Sequence, residues 1–133
     1  MTEFIINMEH RPGQLASLTE SLADVGVNIE ALAAYGHDSN GVVRFIADDA
    51  ITVRRVLQEA ALHFDERRAL TSHMPRRPGE LARLTRSLAD SGVNIEALYV
   101  LHADADGIEF AIVVDQPETA LPHLDVTGGA LTN

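Results

Sequence analysis

The sequence says one long phrase twice. "RPGQLASLTESLADVGVNIEAL" fills positions 11 to 32, and "RPGELARLTRSLADSGVNIEAL" fills 77 to 98, with 18 of the 22 aligned pairs identical. An offset of 66 residues also pairs Gly41 with Gly107 and Asp49 with Asp115, so the 133-residue chain reads as two copies of one small unit, 1–67 and 68–133. At that length each copy must bury its core economically, and the 46% apolar composition suffices for it.

Inside a copy the hydrophobic period changes in a fixed order. "EFIIN" is a short apolar run of strand type, and Arg-Pro-Gly breaks it. From Gln14 to Val25, Leu15, Leu18 and Leu22 recur with Ala16, Thr19 and Ala23; at about 100° per residue they fill one arc of a helix. The same arc in copy two carries Leu81, Leu84 and Leu88, and these leucines are read as core. The four mismatches, Gln14/Glu80, Ser17/Arg83, Glu20/Arg86 and Val25/Ser91, fall on the opposite arc, where solvent tolerates change. Gly26 and Gly92 sit where a positive φ closes the last turn. "VNIEAL" then alternates, Val27, Ile29 and Ala31 against Asn28, Glu30 and Leu32, as a strand does.

Asn40-Gly41 and Asp106-Gly107 suit the centre of a two-residue hairpin, which makes the second and third strands neighbours. Asp49 is placed to cap a helix carrying Val53, Val56, Leu57, Ala60 and Ala61 on one face. In copy two Pro117 suits a first turn but Pro122 interrupts, so that helix is expected to be short or broken. Strand, helix, strand, strand, helix points to an α+β fold of two ferredoxin-like βαββαβ units in tandem, antiparallel sheets with helices on one face. Only "HFDERRALTSHMPR" separates Leu62 from Arg77, so one strand, about 66–74, is expected to join the two sheets or be exchanged between them.

A first strand, Arg-Pro-Gly-x-Leu, an amphipathic helix and Gly-Val-Asn-Ile, found at 11–15 with 26–29 and again at 77–81 with 92–95, resemble the ACT domain. The resemblance spans both copies and implies a free-standing tandem ACT protein that binds a small amino acid and regulates. By position it places a ligand between two adjacent units, at His10, Gly13, Gln14, Leu15, Asn28 and Ile29 in copy one and Arg76, Gly79, Glu80, Leu81, Asn94 and Ile95 in copy two. The residue ahead of Arg-Pro-Gly is often Asn or Asp in amino-acid-binding members. Here it is His10 in one copy and Arg76 in the other, so the two sites need not be equivalent.

Physical chemistry supports part of this set without the resemblance. Proline opening a helix lacks only an N–H with no partner there, and glycine beside it admits close approach. The amides of Gly13, Gln14 and Leu15, at the positive helix end, can hold a carboxylate, and Asn28 offers a donor and an acceptor to a second polar group. The plainer reading is that Pro12-Gly13 and Gly26 punctuate a helix and Asn28 satisfies a turn. A protein-interaction module without ligand is the second functional reading, with Leu32, Leu98, Tyr99 and Val100 on its surface strands.

Other chemistries find little support. A formal charge of −10 repels nucleic acid and anionic membranes. The absence of cysteine removes disulfides, thiolate metal sites and thiol nucleophiles. None of the six histidines recurs between copies or stands at a metal spacing, and "DADG" at 104–107 lacks the glutamate of a calcium loop. No nucleophile, acid–base pair or cofactor cradle is visible, so the chain is expected to be no enzyme and to need no cofactor or metal. It shows neither a signal peptide nor an 18-residue apolar span, so a cytoplasmic location is expected, with homodimerisation through exposed sheet edges; the ACT resemblance implies an amino-acid biosynthetic enzyme or regulator as partner.

Overall fold

The computed structural model describes residues 1–125 and divides into an N-terminal unit, Thr2–Arg67, and a C-terminal unit, Arg68–Asn133 with Met1. The first runs β1 (Thr2–Glu9), α1 (Gln14–Asp24), β2 (Ile29–His37), β3 (Asn40–Ala47), α2 (Ala50–Glu59), β4 (Phe64–Arg68). The second runs β5 (Leu70–Met74), α3 (Glu80–Asp90), β6 (Ile95–Asp104), β7 (Gly107–Val114), α4 (Pro117–Ala120) and a 3₁₀ turn, Leu121–His123. The sheets are ordered β2-β3-β1-β4 and β5-β7-β6, and every pair with a defined register is antiparallel. This is the expected βαββαβ order; the fourth strand expected in copy two falls on 126–133, outside the described residues.

The contested segment is divided rather than shared. Phe64–Arg68 and Leu70–Met74 are separate strands with only Ala69 between them, and each belongs to a different sheet. The chain thus joins the sheets where expected, beginning two residues earlier than position 66.

Both first helices end in the same way. Val27 N–H reaches Leu22 C=O at 3.0 Å and Gly26 N–H reaches Ala23 C=O at 3.0 Å, with Gly26 at φ 79°, a Schellman closure; Val93, Leu88, Gly92 and Ala89 repeat it. Leu18, Leu22 and Leu88 are buried and Leu84 half-buried. Leu15 and Leu81 are not core: they remain 37% and 45% exposed, because the first turn lies beyond the residues that cover the helix.

The N-terminal core joins Leu22 to Phe4, Phe45, Val53, Val56 and Leu57, with Phe4 stacked on Phe45 at 5.6 Å. At about 25 cal/mol per Å² of apolar surface buried, such clusters provide the main stabilisation of each unit. Asp49 caps α2, its side chain accepting from Thr52 N–H at 3.1 Å, but the helix stops at Glu59; Ala60 and Ala61 lie outside it, Ala61 at φ 55°. α4 is the short helix that Pro122 required, begun by Pro117, with Gln116 at its N-cap position making no side-chain cap.

Two register details depart from the sequence reading. A bulge between Ile29 and Ala31 reverses the alternation, so Ile29 and then Leu32 lie in the rows of core residues Ala47 and Phe45. The hairpin turns are Asp38-Ser39 and Ala105-Asp106, since His37 pairs Asn40 and Asp104 pairs Gly107; Asp38 accepts φ 54° itself. A second bulge, between Val100 and His102, adds a residue to β6. Beyond it the copies correspond at an offset of 67, so Asp115 matches Asp48 rather than Asp49.

Candidate functional site

The loop from Glu9 to Gly13 is built by backbone geometry. Gly13 is the N-cap of α1 at φ 91° and Gly79 the N-cap of α3 at φ 90°, a conformation costing an L-residue roughly 1–2 kcal/mol. Pro12 therefore precedes the cap instead of opening the helix. A Cβ added at either glycine would meet nothing beyond its own neighbours within 4 Å, so the positive φ rather than crowding calls for glycine. Ser17 N–H donates to Gly13 C=O at 3.0 Å and Gln14 N–H to Arg11 C=O at 3.4 Å, with the same pair at Arg83–Gly79 and Glu80–Arg77. The amides of Gly13, Leu15 and Ala16 have no partner among the described residues, nor do those of Gly79, Leu81 and Ala82. Gln14's amide is thus engaged, and Ala16's takes its place among the open donors.

The residues ahead of the loop differ between copies. His10 N–H donates to Ser39 C=O at 2.9 Å, and its ring lies on Gly36, where an added Cβ would collide with Nδ1. The glycine is needed for that approach. Arg76 is exposed, with no side-chain partner among the described residues. Gln14 turns its amide oxygen to Arg11 Nε and Nη2 at 2.9 and 2.7 Å, whereas Glu80, only 8% exposed, accepts from Arg77 Nε at 2.7 Å and forms an ion pair with Arg83 Nη2 at 3.3 Å.

Asn28 is tied locally. Its N–H and Nδ2 donate to the Asp48 carboxylate at 3.0 and 2.9 Å, and Asp48 N–H returns a bond to Asn28 C=O at 3.1 Å. Asn94 N–H donates to Asp115 Oδ1 at 2.8 Å, and Asp115 N–H to Asn94 C=O at 3.1 Å. This clamp joins the entry of β2 to the exit of β3, and leaves Asn28 its Oδ1 acceptor. Ile29 and Ile95 pack against their cores. Within one unit, Gly13 and Asn28 stand at opposite ends of an 11-residue helix about 16 Å long. The structure therefore holds the glycine loop and the asparagine at opposite ends of the first helix and does not bring them together within a unit.

Asp48 went unnoticed in the sequence, and Asp115 was paired with Asp49 instead, because a uniform 66-residue offset misaligns the two clamps. Also unforeseen is His123, whose Nδ1 and Nε2 lie 2.6 and 2.9 Å from Ser87 and Ser91 Oγ. Among the described residues no three His, Asp or Glu side chains are grouped to hold a metal, and no helix is long and apolar enough to cross a membrane.

No family model and no curated protein matches the sequence. Solved structures do. Protein BT0572 from Bacteroides thetaiotaomicron aligns at a TM-score of 0.81 and 24% identity over 92% of this chain and 84% of that one. The regulatory subunit of aspartate kinase from Thermus thermophilus, in its ligand-free form, aligns at 0.66 and 18% identity over 92% and 86%. Aspartate kinase from Synechocystis aligns at 0.62 and 22% identity over 92% of this chain but 24% of its own. The chain thus shares the tandem, ACT-like βαββαβ fold of these structures.

Proposed function

We propose that the chain is a non-enzymatic regulatory protein of the cytoplasm that binds a small amino acid at the junction of ACT units and transmits its presence to a metabolic enzyme or regulator. The observation that carries this reading is the twice-built loop at Gly13 and Gly79, whose exposed helix-start amides present unpartnered donors to a carboxylate. His10 or Arg76, with Leu15 or Leu81, lies next to those amides, and Asn28 or Asn94 of an adjoining unit supplies the second polar contact. The half-sites lie about 16 Å apart along one helix, which favours a ligand shared by two units, in one chain or in a homodimer. Such a ligand favours the arrangement that brings its two halves together. A fold shared with a regulatory subunit of aspartate kinase is consistent with this role.

Calorimetry with the twenty amino acids tests the reading. At least one should give saturable heat at micromolar to millimolar concentration, and Asn28→Ala with Asn94→Ala should weaken it. Binding heat is the proper readout, because Asn28→Ala also loosens the Asp48 clamp. Silence from all twenty would remove the sensor reading.

One observation favours the second reading, a protein-interaction module. β2 is an edge strand whose Leu32, Ala33, Ala34 and Tyr35 are exposed, Tyr35 by 59%, and such an edge can add a strand from another chain. Co-purification of a stoichiometric enzyme or regulator, unaffected by any amino acid, would select it.

A further inference from the structure

Each unit has a crevice beside its first helix, and the two are lined in part by matching positions. In the N-terminal unit Met8, Gln14, Ser17, Leu18 and Ser21 form one side; in the C-terminal unit Met74, Glu80, Arg83, Leu84 and Ser87 do. The other sides differ. Val56, Leu57, Ala60 and Leu62 close the first crevice to about 180 Å³. α4 is six residues shorter than α2, and the second crevice opens to about 270 Å³, bounded there by His123 and the chain at Asp125.

The mismatches within the repeat gather at this second crevice. Of the four, Gln14/Glu80 and Ser17/Arg83 line it, and Ser91, where copy one has Val25, holds the His123 ring that walls it. The ring is fixed: Ser91 Oγ donates to Ser87 C=O at 3.1 Å, so it accepts from His123 Nε2–H, leaving Nδ1 to accept from Ser87 Oγ–H. Duplication supplied a neutral crevice in one copy and a charged one in the other. The sequence reading that mismatches fall only where solvent tolerates change is corrected here, since Glu80 is buried against two guanidinium groups.

We propose that this C-terminal crevice is a second ligand site, for a small carboxylic acid carrying an amino or hydroxyl group beside the carboxylate. Arg83, 73% exposed and joined to Glu80 by Nη2, keeps donors for a ligand carboxylate. Glu80 accepts from the ligand's ammonium or hydroxyl. Phe110, Leu84 and Met74 offer an apolar floor to a short carbon chain. The volume, below the roughly 300 Å³ of sites for drug-sized molecules, suits a compound of a few heavy atoms. The site lies within one unit and uses neither the glycine-loop amides nor the asparagines, so it goes beyond the loop reading and shares only Glu80 with it.

The copies supply their own controls. Arg83→Ser and Glu80→Gln install residues that the N-terminal helix already carries, so the fold should persist, as circular dichroism would verify. Glycine, L-serine, L-threonine and L-lactate would be titrated into ¹⁵N-labelled protein. The expected result is saturable shifts at 72–74, 83–87 and 110 for at least one probe, weakened at least tenfold by Arg83→Ser and also by Glu80→Gln, and unchanged by Asn28→Ala with Asn94→Ala. Shifts confined to residues 10–15 and 28, lost in the asparagine variants and kept in Arg83→Ser, would overturn the crevice site while supporting the loop reading. No saturable shift at 72–87 from any probe at tens of millimolar would overturn it as well.

Discussion

α1 and α3 share most of their letters, and every backbone feature of one returns in the other: the left-handed glycine cap, the Schellman closure and the asparagine–aspartate clamp. α2 and α4 share almost nothing, ten residues against four. A local sequence block thus specifies a helix and both its ends, whatever closes over it. The remainder of each unit sets how deep the core is and how far the crevice beside the helix opens, while the mismatches inside the block set that crevice's charge.

Core truncation should test this most severely. Leu22→Ala and Leu88→Ala should each cost about 2–5 kcal/mol, with the larger loss at Leu22, where Val53, Val56 and Leu57 close the core against collapse. Amide exchange resolved by unit is the proper measurement, since two units need not unfold together. Equal losses would mean that α4 covers its helix as fully as α2 does.

Next come the closures. Gly26→Ala and Gly92→Ala should each cost about 1–2 kcal/mol, and the two costs should agree, because φ 79° and 76° impose the same strain on an added Cβ. A large difference would break the identity of the two helix ends. The clamps should then separate the copies: Asp48→Ala removes two bonds from Asn28 and Asp115→Ala one from Asn94, so losses of about 2 and about 1 kcal/mol are expected in urea unfolding.

Acid should produce the smallest effect. Hydrogen bonds from Thr52 hold the Asp49 carboxyl below its ordinary 3.8, and the Arg54 guanidinium holds Glu66 below its ordinary 4.5. A carboxyl depressed on folding stabilises above its unfolded value, and that contribution is lost as pH falls through the folded one. The N-terminal unit should therefore weaken between about pH 5 and pH 2, and Asp49→Ala with Glu66→Gln should flatten that slope. α4 has no side-chain cap to lose.

Strand order, helix faces and the broken last helix were legible because period, glycine and proline act locally. The parity of β2 was not, because the bulge at Ile29 is set by pairing with β3. For the same reason Asp48 was hidden: one extra residue in β6 moves its partner from 114 to 115, and only the ladder reveals it. Leu15 was misplaced since helical spacing gives the face but not where its cover ends. Of the candidate site, the glycines and their amides could be read from sequence, whereas the burial of Glu80 between two arginines needed coordinates.

Amide chemical shifts offer the most direct test of the central claim, that the repeated loop is a carboxylate site. Titration of the amino acid with the largest calorimetric response should move the amides of 13–16 and 79–82 in a saturable way, together with those of Asn28 or Asn94. A bound amino acid that leaves all of those amides unmoved would contradict it.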